Sequence, residues 1–337
     1  MINKKSKGTF LHYIHSFRGV AILFVVGGHI LLQWEPNQFS EKIINSIFRN
    51  GTVLFVFIAG YLFQYLSGRF NAPEYWRKKI LNVLLPYIIV SIPALILRFI
   101  ETPRIVLLEN PTFENWGIAK KIIYYISTGA HLQPLWFVPM ITIFYLIAPV
   151  LNSGDKKKWL YKLLPLLLVL SLFVPRAELS NIIRMFIHFL SVYILGMFFS
   201  AYQIEITIFS KKWWPILTGV TLLLCILTFI DTPYYDNFMF LQKTMFCWFF
   251  IYWLDRFDSF IPKIFDTLAD YSFGIFFTHY YFLLVFKFLS EKYAPIFITG
   301  SILNWVLHFS LIVVSNCLFI YIVRNILGKR SRYIIGT

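Results

Sequence analysis

Apolar residues run along this chain in long blocks separated by short polar stretches. A helix crosses a bilayer with about 20 mostly apolar residues. Segments near 13–33, 52–66, 80–100, 135–151, 160–174, 183–201, 213–230, 238–254, 271–289 and 300–327 approach that length. The segment at 160–174 is short, while that at 300–327 needs strong tilt or an end outside the hydrocarbon. The pattern predicts an all-α fold: one polytopic membrane domain over 1–337, a bundle of about ten transmembrane helices. The longest connection is 101–134. Within it, WGIAKKIIYYIST places Trp116, Ile123 and Ile126 along one helical face with Lys120 and Lys121 off it. That spacing predicts an interfacial helix near 116–128, either a cover for the bundle or part of an entrance to it.

Charge orients the predicted bundle, because short basic loops stay on the cytoplasmic side. Cations cluster at Lys4, Lys5 and Lys7, at Arg77 to Lys79, at Lys156 to Lys158, at Lys211 and Lys212, at Arg256 and Lys263, and at Lys329 to Arg332. The alternate connections are poor in them; FIDTPYYDNF and the stretch around Glu178 carry acids and aromatics instead. Both termini are therefore expected in the cytoplasm, with 101–134 on the outer side. The basic N-terminus followed by an apolar run without an A-x-A-like exit reads as an uncleaved signal anchor.

Composition agrees with this reading. Of 337 residues, 58% are hydrophobic and only 14% charged, far from soluble averages. The excess of 31 Lys and Arg over 16 Asp and Glu would raise nucleic-acid binding in a soluble domain; here cytoplasmic loops account for it, and no nucleic-acid partner is expected. Cys225, Cys247 and Cys317 lie inside apolar runs without ligand spacing and read as core filler.

Against this background, HSFRGVAILFVVGGHI stands out, because Arg18 and His29 occupy one apolar run. Intramembrane charge is costly and points to a use. Eleven residues apart on an ideal helix, the two side chains fall within ~20° of one face and roughly 16 Å apart along the axis. Gly27 and Gly28 remove bulk beside His29, allowing a helix or ligand to approach closely. Arg18 suits an anionic group, and a neutral His29 can take a proton from a nucleophile. Two plainer readings stand beside this one: Arg18 as a snorkelling anchor, and His29 as an interhelical hydrogen-bonding residue. Arg184 and His188, four apart in one span, and His279, His308, Lys243 and Lys287 also fall inside apolar segments. No metal site is expected, since the scattered histidines lack the three close ligands of a catalytic zinc.

Five segments, in order, resemble the membrane-bound acyltransferase 3 family. FRGVAILFVVGGHI is similar to its first-span Arg, ten residues, then His. VLFVFIAGYLF resembles its second span, with Ala59 where Ser is usual. YWRKKILNVLLPY resembles the basic lead-in to the third span, LWFVPMI its Leu-Trp-Phe segment, and YSFGIFFTHYYF its late Tyr-Ser-x-Gly-x-aromatic-x-x-His span. The resemblance implies a core of ten helices and transfer of an acyl group from cytoplasmic acyl-CoA, acetyl-CoA by default, to an acceptor beyond the membrane. It implies His29 as catalytic base and Arg18 as a donor-holding or site-orienting residue. Donor contacts fall to Arg77, Lys78 and Lys79, although the family's second arginine is replaced by Asn82. Trp136 and His279 are the acceptor-side candidates.

The chemistry suits these residue types. Attack of a hydroxyl on a thioester needs a base, charge stabilisation and exclusion of water, and a basic mouth concentrates anionic CoA. The expected function is O-acylation of an envelope or exported polysaccharide in a bacterial cell membrane, with lipids and the glycan as partners. Export of a polysaccharide is the alternative, since intramembrane Arg, His and Lys also describe a transport pathway. A third reading is a non-catalytic partner of a polysaccharide synthase.

Overall fold

The computed structural model describes residues 10–100, 113–176, 181–230 and 232–337. Lys4, Lys5 and Lys7, the stretch around Glu178, Asp231 and the first part of the 101–134 connection lie outside them. The described residues form helices and no strand; one isolated bridge pairs Gln33 with Thr299.

Helix α1 spans His12–Gly27 and is followed by α2 (Phe39–Phe48), α3 (Thr52–Tyr65) and α4 (Ala72–Lys79). Asn71 caps α4 by accepting from Glu74 N, and Pro73 occupies the first turn, where its missing N–H costs nothing. A π-helical turn at Ile80–Leu84 joins α4 to α5 (Leu85–Ile100), and α6 covers Ile118–Thr128. Next, α7 (Phe137–Leu146) and α8 (Ala148–Lys157) meet at a 55° bend, where Pro149 in the first turn of α8 removes a backbone donor. The chain continues through α9 (Trp159–Lys162), α10 (Leu164–Phe173), α11 (Ile182–Ala201), α12 (Gln203–Leu227), α13 (Tyr235–Arg256), α14 (Ile264–Tyr293), α15 (Ile302–Leu327) and α16 (Ser331–Ile334).

Each of the apolar segments read from the sequence overlaps at least one of these helices. Among the described residues, five helices are long and apolar enough to cross a membrane, or six if the bent α7–α8 pair is one span. Large apolar side chains remain exposed on the outward faces of α5, α10, α12 and α15, among them Ile96, Leu166, Leu222 and Val314. In water such patches would be a liability; against lipid they are the expected surface.

The core gathers on α1, which packs against α3, α13, α14 and α15 and fully buries Phe17, Ala21, Ile22 and Val26. The closest helix pair is α3 with α11. A Cβ on Gly60 would stand 2.0 Å from the Tyr193 carbonyl oxygen, and one on Gly196 would stand 2.0 Å from that of Phe57. Each glycine thus admits the other helix's backbone, as small residues do where membrane helices touch.

One boundary differs from the sequence reading. The apolar run 13–33 is helical only to Gly27, because two glycines in succession favour helix poorly and their missing side chains admit Phe48. A Cβ on Gly27 would meet the Phe48 ring at 2.5 Å, and one on Gly28 the Phe48 carbonyl oxygen at 2.8 Å. Trp305 Nε1 donates to the freed Gly27 carbonyl at 3.3 Å. Beyond the break, Gln33 N donates to the Ile298 carbonyl at 2.8 Å. His29 therefore sits in a turn past the helix end, and the ideal-helix geometry with Arg18 holds only as far as Gly27.

Candidate active site

The turn after α1 fixes His29 by its own backbone. Its main-chain N donates to the Val26 carbonyl at 3.0 Å, and its Nδ1 lies 2.7 Å from the Val25 carbonyl oxygen. A carbonyl only accepts, so Nδ1 carries the hydrogen and the neutral ring leaves its lone pair on Nε2. A general base needs that tautomer. His279 repeats the device on α14: Nδ1 donates to the carbonyls of Ile275 at 2.8 Å and Phe276 at 3.0 Å, and its buried Nε2 has no partner. The two imidazoles stand 5.3 Å apart. Tyr280 meets His29 edge-on at 6.1 Å and donates its hydroxyl to Gln133 Oε1 at 2.7 Å.

His29 lines a cavity of about 400 Å³. Arg49 and Asn50 reach this wall from the α2–α3 junction, Arg176 from the end of α10, His188 from α11, and Asp236 from the start of α13. Asn50 holds a left-handed backbone with φ of 62°, a conformation Asn tolerates better than most residues. Arg176 donates to Asn50 Oδ1 and lies 5.0 Å over the Trp136 ring. His188 donates through Nδ1 to the Val174 carbonyl at 2.9 Å.

A buried cation secures the α2 side of this wall. Lys243, 0% exposed, donates to the carbonyls of Ser46 at 2.8 Å and Ile47 at 2.7 Å and to Gln242 Oε1 at 2.7 Å. These carbonyls belong to the last turn of α2, where a positive charge is favoured. Lys243 thus ties α13 to the segment that presents Arg49 and Asn50.

A second cavity, about 820 Å³, opens at the other end of α1. Arg18, Arg69, Lys78, Lys79, Arg324 and Arg332 line it; among the described residues its acidic side chains are Glu74 and Asp270, and Glu74 is already paired with Lys78 at 2.6 Å. Arg18 donates to Ser272 Oγ at 2.9 Å. The π-helical turn contributes Asn82 and Val83 to its wall, in keeping with the frequent use of such turns at functional sites. The same lining includes the apolar side chains of Phe55, Ile58, Phe137 and Ile141. A chain of rings leads from there to the first cavity: Phe137 contacts Phe276 at 5.4 Å, Phe276 lies 6.4 Å from His279, and His279 faces His29.

The structure thus groups Arg18, Lys78 and Lys79 on one cavity and sets His29 on another, with His279 beside it. Arg77, beside Lys78 in the chain, is absent from the lining of that first group's cavity. Trp136, 2% exposed, stacks on Phe189 at 5.8 Å and supports Arg176 from beneath. Arg184 is exposed, so its four-residue spacing from His188 brings only the histidine to the cavity. His308 donates through Nδ1 to the Asn304 carbonyl at 2.9 Å within α15, and Lys287 lies 3.7 Å from exposed Glu291. Among the described residues no cluster of three metal-ligating side chains forms. Sequence reasoning did not single out Arg49, Arg176 and Asp236, since each stands in or beside a connection; it passed over Arg324 inside an apolar segment and took Arg332 for loop charge.

The sequence profile of the acyltransferase 3 family, described as an acyltransferase domain, matches residues 11–324. No curated protein and no solved structure gave a significant match. The profile runs from the residue before α1 into the last turn of α15, so it takes in the whole lining of the first cavity, that of the second apart from Arg332, Gly336 and Thr337, and the apolar helices of a multi-pass membrane protein. The chain belongs to the acyltransferase 3 family of membrane acyltransferases.

Proposed function

We propose that this acyltransferase moves an acyl group, acetyl by default, from cytoplasmic acyl-CoA to a hydroxyl of an envelope or exported polysaccharide. The proposal includes about ten spans, both termini in the cytoplasm, and residence in a bacterial cell membrane, since the cationic donor cavity lies at the α1 end that carries the basic flank. The observation that carries it is His29, held as the Nδ1–H tautomer by Val25 on the wall of one cavity, with a strongly cationic cavity approaching from the other side of a few aromatic rings.

In this reading the CoA phosphates bind Arg18, Lys78, Lys79, Arg324 and Arg332, which supply charge-assisted bonds to oxygen anions. The pantetheine arm passes the apolar wall of Phe55, Phe137 and Ile141 toward His29. His29 Nε2 takes the proton from the acceptor hydroxyl as its oxygen attacks the thioester carbon. The tetrahedral adduct then collapses, the C–S bond breaks, and the thiolate recovers the proton from His29. Ester and free CoA result, and no covalent acyl-enzyme is required.

The test is CoA release by the purified protein in nanodiscs supplied with acetyl-CoA and polysaccharide. Release should depend on both. Arg18→Gln should raise the KM for acetyl-CoA by about tenfold, the worth of one charge-assisted contact, with a smaller effect on kcat. Glycan movement across vesicles with no acyl-CoA consumption would replace this reading with export.

A further inference from the structure

The His29 cavity carries more positive charge than a neutral sugar hydroxyl requires. Arg49 and Arg176 both line it, against Asp236 as the one carboxylate among its lining residues. Among the described residues neither guanidinium has a carboxylate within 4.0 Å, Asp236 included. Their partners are neutral. Arg176 donates to the side-chain oxygen of Asn50 and lies over Trp136, and Arg49 lies 5.5 Å over the Tyr235 ring. A guanidinium has five N–H donors in a planar fork, and Arg176 uses one on Asn50. Arg176 is half-buried and Arg49 exposed on the cavity wall, so two guanidiniums without a carboxylate against them stand beside the proposed base and can take an anion delivered with the substrate.

We propose that Arg49 and Arg176 form an anion subsite next to His29, and that one reacting partner carries a carboxylate or phosphate that docks there. The inference rests on the acyl-transfer reading for its placement beside the reacting atoms. Two sources supply the same chemistry: an acidic or phosphorylated sugar in the acceptor, or an acyl group with its own terminal carboxylate, delivered as the thioester of a dicarboxylic acid. The fork geometry suits either, and Trp136 and Tyr235 hold the two guanidiniums from below by cation–π contact. The neighbouring Asn50 and Gln133, whose side-chain oxygens accept from Arg176 and Tyr280, still present amide N–H groups to sugar hydroxyls.

Binding tests the subsite without relying on turnover. Ligand-induced thermal stabilisation of the purified full-length protein is measured with glucuronate, glucose 6-phosphate, succinate and, as neutral control, glucose. At least one anionic probe should bind roughly tenfold or more tightly than glucose. That preference should disappear in Arg49→Gln and Arg176→Gln and fall only part-way in Arg176→Lys, which keeps the charge but not the planar fork. Equal binding of charged and neutral probes, or an anion preference untouched by both glutamine variants, overturns the subsite. CoA release then separates the sources. Faster turnover with an acidic acceptor and acetyl-CoA assigns the anion to the acceptor; faster turnover with succinyl-CoA and a neutral acceptor assigns it to the acyl group. Anion binding with no consumption of any acyl-CoA would leave the subsite standing and remove the acyl-transfer reading instead.

Discussion

Replacing His29 with Gln is expected to lower turnover by about 10²- to 10⁴-fold, the usual contribution of a positioned general base, while the KM for acyl-CoA stays near that of the unchanged protein. The separation follows from the geometry. The cations proposed to bind the donor line the cavity at the Arg18 end, whereas His29 lines the other, its Nδ1 bonded to the Val25 carbonyl. Glutamine keeps a polar side chain there but cannot take a proton. Initial rates of CoA release against acyl-CoA concentration measure both constants. A parallel rise in KM would mean that His29 holds the donor instead. His279→Gln should cost less, because that ring is buried and faces His29. Its role in this account is to pack and orient.

The second large effect concerns the fold. Gly196→Leu should prevent stable packing of α11 on α3. The added Cβ would meet the Phe57 carbonyl oxygen at 2.0 Å and Tyr61 N at 2.8 Å. Both are backbone atoms, so no rotamer change relieves the clash and the helices must part. Overpacking a tight core costs typically about 1–3 kcal/mol, and a backbone clash belongs at or above the top of that range. Fluorescence-detected size-exclusion chromatography of detergent-solubilised protein should show loss of the monodisperse peak and a lower melting temperature. Gly219→Leu is the matched control: nothing lies within 4 Å of a Cβ at that position, and its profile should match the unchanged protein.

Much of the site was legible because it depends on residue types that a lipid environment tolerates poorly. An Arg and a His in one apolar run call for an account, structural or chemical, and that contrast singled out Arg18 and His29 before any coordinates. The break at Gly27 was less legible. Two glycines signal freedom, but whether a helix ends there depends on what approaches, here Phe48 and Trp305 from positions far along the chain. Arg49 and Arg176 illustrate a harder limit. Each is an ordinary loop cation by itself, and 126 residues of separation hide that Asn50 accepts from Arg176 on one wall. Lys243 was visible as an intramembrane cation, but its partners on α2 were not, because that short helix lies in a stretch the hydropathy pattern leaves as a connection. Trp136 reads from sequence as an acceptor-side candidate, a tunnel wall or an interfacial anchor; its ring is 2% exposed and lies beneath Arg176.

The helices divide along similar lines. Long apolar blocks such as 183–201 and 271–289 specify helices by burial and length alone, and α11 and α14 contain them. The bend between α7 and α8 could be anticipated only from Pro149, and the extension of α12 back to Gln203 only by accepting Lys211 and Lys212 within a helix. Hydropathy discounts such residues, although long cations reach the interface readily.

The central claim is that donor and acceptor enter from opposite ends and meet at His29. Sealed proteoliposomes of uniform orientation test it, with radiolabelled acetyl-CoA supplied only to the face bearing the Arg18 cavity and polysaccharide only to the other. The account predicts label on the polysaccharide with the unchanged protein and none above background with His29→Gln. Transfer only when both substrates share one face, or undiminished transfer by the variant, would contradict it.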